Sequence, residues 1–289
     1  MRKLSVSVAI VGAIGIIVVG VLLMERPDDA AGPCVVMQRA TMLPEIPEAS
    51  GLAISRRTPG IIWSHNDSGH ATELFALDAA TGALRGRVRV PLVTRDWEAV
   101  AAGRCPAGHC LYIGDIGDNG LERRRIQIAR VSEPAPGDAE TSKPEVFSAA
   151  YADGRHNAEA MFVVGDDLFI VTRDRTGGLY RLAAPLRSGE ELMLQRIGHL
   201  GLEAVTDAAA SPDEASVVVR TGGAVFLYRT ADVLRGGKVP HTLRIPIGRL
   251  REPQGEGVAL DDKGTLYLAS EGSLWNDSGR FIRLRCTLP

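Results

Sequence analysis

DWEAVAAG, residues 96–103, places a carboxylate, Glu98, at the head of an apolar run that reads as a buried strand. A carboxylate buried without a partner is costly, so Glu98 needs a counter-group or a wet cavity. The same head recurs: WEAV at 97–100, AEAM at 158–161, LEAV at 202–205 and GEGV at 255–258. A degenerate copy, ASGL at 49–52, carries Ser50 where the others carry the acid. The spacings are 48, 61, 44 and 53 residues (50 to 98, 98 to 159, 159 to 203, 203 to 256). An irregular period of roughly 50 residues suits repeated β-units with variable loops.

Each head leads through a turn into a second run: IIWSHND (61–67), CLYIGDIGDN (110–119), DLFIVTRD (167–174), SVVVRT (216–221) and TLYLASEG (265–272). The turns RRTPG, CPAGH, VGDD, SPDEA and DDKG are built from residues that favour tight reversals. Third runs (ELFALD, IQIARV, GLYRLA, AVFLYR, FIRLRC) and fourth runs (RVRVPL, EVFSAAY, LMLQRI, HTLRIP) follow. Four short strands per repeat predict an all-β β-propeller of five four-stranded blades, or six if the long 98-to-159 unit conceals another. The fifth unit lacks a fourth strand, and CVVMQR (34–39) can supply it and close the ring. Cys286 then ends one strand beside Cys34 at the start of the next, which predicts a disulfide; Cys105 and Cys110 bracket a short loop and predict a second.

Arg2 and Lys3 precede residues 4–24, an apolar stretch without a charge. About 20 such residues span a bilayer core, more than a signal peptide's apolar segment needs. The reading is an anchor over 1–24, a linker over 25–33 and an exported propeller domain over 34–289, single-pass in the cell membrane. Cleavage after the apolar stretch would instead give a secreted protein. A formal net charge of −2, without a long Lys/Arg run, excludes a nucleic-acid partner.

In a propeller the start of each first strand and the end of each second strand meet on one face. Glu98, Glu159, Glu203 and Glu256 should therefore converge on a funnel mouth with Asp115 and Glu271. Oxygen-only donors without paired His or Cys suit Ca²⁺ or Mg²⁺ rather than Zn²⁺, and for an exported domain Ca²⁺ is the expected occupant. Arg173 and Arg220 on that face add bidentate anion-binding capacity, and His65 and His156 could shuttle protons. Plainer readings stand beside these. The repeated Glu could lock neighbouring blades by accepting backbone hydrogen bonds, and GDIGDN could be a simple turn. LERRR (121–125) reads as a solvated loop, and Trp63, Trp97 and Trp275 as packing aromatics. No nucleophile elbow, P-loop, H-E-x-x-H or C-x-x-C motif is present.

QGEGVALDDKGTLYLASEGS (254–273), DWEAVAAG and NAEAMFVV resemble the phytase-like β-propeller group, often labelled esterase-like. SGLAIS, HNDSG and LYIGDIGDN resemble segments of exported bacterial propellers. The resemblance covers roughly residues 48 to 286 and implies acidic blade mouths that bind Ca²⁺, which in turn holds a phosphate for hydrolysis. By position it makes Glu98, Glu159, Glu203 and Glu256 ligands, with Asp115 and Glu271 as candidates. Ser50 interrupts the ring of acids, and propeller phytases have six blades. The resulting expectation is a membrane-anchored, exported, metal-dependent hydrolase of phosphoesters or related anionic esters. The alternative is a non-catalytic module that binds a protein or glycan.

Overall fold

The computed structural model of the chain describes residues 30–38, 40–273 and 278–289. The predicted anchor and Trp275 lie outside the described residues, among which no helix is long and apolar enough to cross a membrane. Five inner strands organise the rest: Ala49–Ile54, Trp97–Cys105, Ala158–Val164, Val205–Ala210 and Gln254–Leu260. Each packs against the next in chain order, and the last returns to the first. The circuit closes on itself.

From each inner strand a meander runs outward. The second strands, all antiparallel to the first, are Ile61–Asn66, Gly108–Asp115, Asp167–Thr172, Ser216–Thr221 and Thr265–Glu271. Third strands follow at Glu73–Asp78, Ile126–Ser132, Gly178–Leu182, Ala224–Arg229 and Gly279–Cys286. The outer edges are Leu84–Arg89, Glu145–Tyr151, Glu191–His199 and Leu243–Pro246. Cys34–Val36 completes the last unit by pairing antiparallel with Gly279–Cys286, and Thr41–Leu43 pairs with the other end of that strand. The architecture is all-β and β-propeller-like.

The core lies between neighbouring units. Along an inner strand alternate side chains face opposite sides, so Ala99 and Ala101 pack into one cluster with Met161 and Ile170. Val100, between them, packs into another with Trp63 and Leu111. Three further clusters fill the remaining gaps around the ring. Burial on both faces is why these strands read as nearly unbroken apolar runs.

Two joins hold the ring. Cys34 and Cys286 are cross-strand partners and are disulfide-bonded across a sequence separation of 252; chain entropy makes such a closure worth about 5 kcal/mol. Cys105–Cys110 clips the predicted short loop. The outer edges of the second and third units also pair in parallel, from Ser148↔Glu191 to Tyr151↔Leu194, which fuses two units into one nine-stranded sheet. The sequence carried no sign of that pairing. Nor did it show the short helix α1, Thr230–Arg235, in which Thr230 and Val233 alone are buried, too little for a visible helical period.

Candidate functional site

All five inner strands slip register against their second strands near the same end. The extra residues are Glu98 (Trp97↔Asp115, then Ala99↔Gly114), Glu159 (Ala158↔Thr172, then Ala160↔Val171) and Thr206 (Val205↔Thr221, then Asp207↔Arg220). Ser50–Gly51 and Glu256–Gly257 carry the other two. A bulge re-aims its side chain out of the strand's regular alternation. The puzzle of Glu98 is thereby resolved: it lies at a bulge on the rim of a cavity.

Glu203 does not join this set. It is exposed, in a bend ahead of the strand, because Ala204 takes φ 54° and the strand starts only at Val205. Thr206 holds the equivalent place. Its hydroxyl donates to the Glu256 carbonyl (3.1 Å), as Ser50 Oγ donates to the Glu98 carbonyl (3.0 Å). The two hydroxyl-bearing units thus lock onto the next unit, while Glu98, Glu159 and Glu256 face the funnel.

That funnel is a cavity of about 210 Å³ lined by Asp67, Glu98, Glu159, Glu256 and Glu271, with Arg173 as the one basic residue among the described residues of its wall and Ser50, Asn119 and Gln254 as neutral neighbours. Arg173 is ion-paired with Glu159. Burial, then Asp67, Asp96 and Glu256, pushes the Glu98 carboxyl up to about 9. Glu271 is raised to about 7 by burial and by Glu256 and Asp67. Burial also raises Asp67 and Glu256, the latter opposed by Arg173. Five acids therefore share one arginine, and the deficit favours proton or cation uptake.

Carboxylate oxygens of Asp67, Asp96 and Glu98 lie within 4.8 Å of one another. At an effective dielectric of about 20, each ionised pair at that distance repels by roughly 3 kcal/mol. Gly117 closes the back of this cluster. A Cβ there would sit 2.4 Å from Asp96 Oδ2 and 2.5 Å from Glu98 Oε1, so the GDIGDN turn needs glycine for close approach. The donors are oxygen-only and partly desolvated, and a hard divalent cation such as Ca²⁺ fits them.

Other predicted site residues sit elsewhere. Asp115 is buried behind the cluster, where one oxygen accepts the Asp96 N–H (2.8 Å) and Arg123 Nη1 (2.9 Å). Arg220 is fully buried beneath the last inner strand. It donates to the carbonyls of Gly257 (2.8 Å) and Ala269 (2.9 Å) and pairs with Glu252 at 2.5 Å, in space left by the missing side chain of Gly255. It is a strut between units, with no face toward a ligand. His65 stacks on Trp97 with centroids 4.2 Å apart. Its Nε2 accepts the Gly51 N–H (3.2 Å) while Nδ1 donates to the Asn66 carbonyl (2.8 Å), and burial lowers its pKa to about 4. Both nitrogens are occupied. His156 is away from the funnel, bonded to Asp153 and Tyr180.

Asp67, Asp96 and Gly117 are not among the sequence-predicted site residues. The D-x-E spacing of Asp96 and Glu98 within DWE was the available signal; the approach of Asp67 depends on packing between two units.

No protein-family model matches the chain, and no curated protein does. Among solved structures, the Malassezia sympodialis allergen Mala s 1 is similar at TM-score 0.53 and 9% identity, over 88% of this chain and 96% of that one. A glucose dehydrogenase gives 0.50 at 12% identity, over 85% of this chain and 99% of that one. A Kuenenia stuttgartiensis hydrazine synthase chain, of which this chain spans little more than half (56%), gives only 0.40 at 14% identity and 78% of this chain. At such identities the likeness concerns fold alone, and it is to β-propeller-like architecture.

Proposed function

We propose that the ring is a five-bladed β-propeller of the phytase-like kind, exported and anchored by residues 4–24. Its funnel would bind Ca²⁺ through Asp67, Asp96 and Glu98, and the loaded protein would hydrolyse a small anionic ester, a phosphoester in the first instance. The observation that carries this reading is the approach of those three carboxylates within 4.8 Å, with Asp67 and Glu98 on the wall of a funnel that has a single arginine among its described lining residues. Bound Ca²⁺ would polarise the ester and neutralise its charge.

The chain's own groups divide the remaining tasks. Arg173, about a third exposed beside Glu159, would hold the anionic end of the substrate. Glu271, raised to about 7 in the metal-free funnel, is the group suited to exchange a proton near neutrality. Gln254 and Asn119 would orient neutral substrate oxygens from the rim.

One observation favours a second reading, a non-catalytic module for a protein or glycan. Neither predicted histidine offers a free nitrogen to the funnel. A panel of phosphate, carboxylic and lactone esters separates the two. Under the hydrolase reading, turnover of one class requires Ca²⁺, stops on chelation and falls at least tenfold in Glu98→Gln and Arg173→Gln. Ca²⁺ binding without turnover of any ester would leave the binding module.

A further inference from the structure

Behind the funnel, outside the ring's inner face, a second cavity of about 450 Å³ opens between the loop preceding Asp96 and the LERRR segment. Four arginines line it, Arg95, Arg123, Arg124 and Arg125, against two acids, Asp115 and Glu122. The arginines differ in how they are neutralised. Arg123 is spent in its buried pair with Asp115, and Arg125 holds Glu191 through Nε and Nη2 at 2.9 and 3.1 Å. Arg95 reaches Glu122 only at 3.7 Å, with both side chains largely in water. That pair is worth little and is easily replaced. Arg124 is exposed and forms no ion pair among the described residues.

Two guanidinium groups thus front one groove without firm partners. Gln127 and Ser148 add neutral hydrogen-bonding groups to its wall, and Val93, 89% exposed, offers an apolar surface at its lip. Paired arginines bind tetrahedral oxyanions in bidentate fashion. The volume exceeds what a bare oxyanion needs and accommodates a sugar-sized body, for which a hydroxyl-matching wall and an apolar lip are suitable contacts. From this combination we infer a second ligand site, a groove for the phosphate or sulfate monoester of a saccharide-sized molecule, with Arg95 and Arg124 as its anion clamp. The site shares no lining residue with the funnel and stands whether or not the funnel binds metal.

Calorimetric titration of the purified protein with glucose 6-phosphate and glucose 6-sulfate, in buffer of constant ionic strength with chelator present, tests it. Glucose and inorganic phosphate, titrated in parallel, separate the sugar and anion contributions. At least one monoester should bind more tightly than either. Arg95→Gln and Arg124→Gln, both at exposed positions that leave the fold intact, should each weaken it at least tenfold, whereas Arg173→Gln in the funnel should change it less than twofold. Absence of monoester binding to the unaltered protein overturns the inference. So does binding no tighter than that of inorganic phosphate, or binding that survives both groove substitutions, or binding abolished by Arg173→Gln alone.

Discussion

Arg123 and Asp115 form an ion pair at 2.9 Å from which water is almost wholly excluded. The same guanidinium donates to the Gly117 carbonyl (2.8 Å), and Asp115 also accepts the Asp96 N–H. The pair therefore fixes both the turn behind the carboxylate cluster and the backbone of one of its members.

Removing Arg123 leaves a buried carboxylate without its partner. Arg123→Gln should cost about 3–5 kcal/mol of stability, read from the urea midpoint. The double change Arg123→Met with Asp115→Leu should recover much of that loss but not the placement of Asp96. A stable double variant with undiminished Ca²⁺ affinity would show that the pair has no positioning role.

The funnel acids give the metal-free protein a signed pH dependence. Glu98 ionises near 4.5 in the unfolded chain and near 9 in the fold, so the fold holds the extra proton between those values. Its contribution is fully present below about 4.5 and is lost as pH rises toward 9, with a slope of up to about 1.4 kcal/mol per pH unit. Asp67, Glu256 and Glu271 are shifted in the same direction. Chemical denaturation of chelated protein at pH 6 and pH 8 should show lower stability at pH 8, and Glu98→Gln should reduce the difference. An equal difference in that variant would mean that Glu98 is not the group responsible.

Close approach at Gly117 is open to a small substitution. Gly117→Ala drives a methyl into Asp96 and Glu98, so it should weaken Ca²⁺ binding at least tenfold while the far-ultraviolet spectrum is retained. Gly137→Ala, where an added Cβ meets nothing, serves as the control. Matching affinities for the two variants would remove the cluster from consideration as the metal site.

The repeat made the strand order, the closing strand and both disulfides legible, because each rests on local pattern or on strand ends that must meet. Glu98, Glu159 and Glu256 were visible for the same reason. Glu203 misled because Glu-Ala-Val at 203–205 matched the motif while one left-handed residue, Ala204, delayed the strand. The nearness of Asp67, Asp96 and Glu98 depends on loops packing between units, and no spacing encodes it. Burial of Arg220 was foreshadowed only by Gly255, whose side chain would occupy the guanidinium's space. His65 ended in a stack with Trp97, a contact between units that periodicity could not reveal.

The two disulfides should differ in weight. Opening Cys34–Cys286 by Cys34→Ala with Cys286→Ala releases a 252-residue separation and should cost about 5 kcal/mol, against about 2 kcal/mol for Cys105→Ala with Cys110→Ala. Urea midpoints in otherwise identical proteins check this. Equal losses would mean that the ring is held closed without the terminal bond.

Calorimetric titration of the chelated protein with Ca²⁺, beside its Glu98→Gln variant, addresses the funnel most directly. The unaltered protein should take up Ca²⁺ saturably, more tightly at pH 8 than at pH 6, and the substitution should weaken uptake at least tenfold. No uptake, or uptake of equal affinity in both proteins, would rule out metal binding at Glu98.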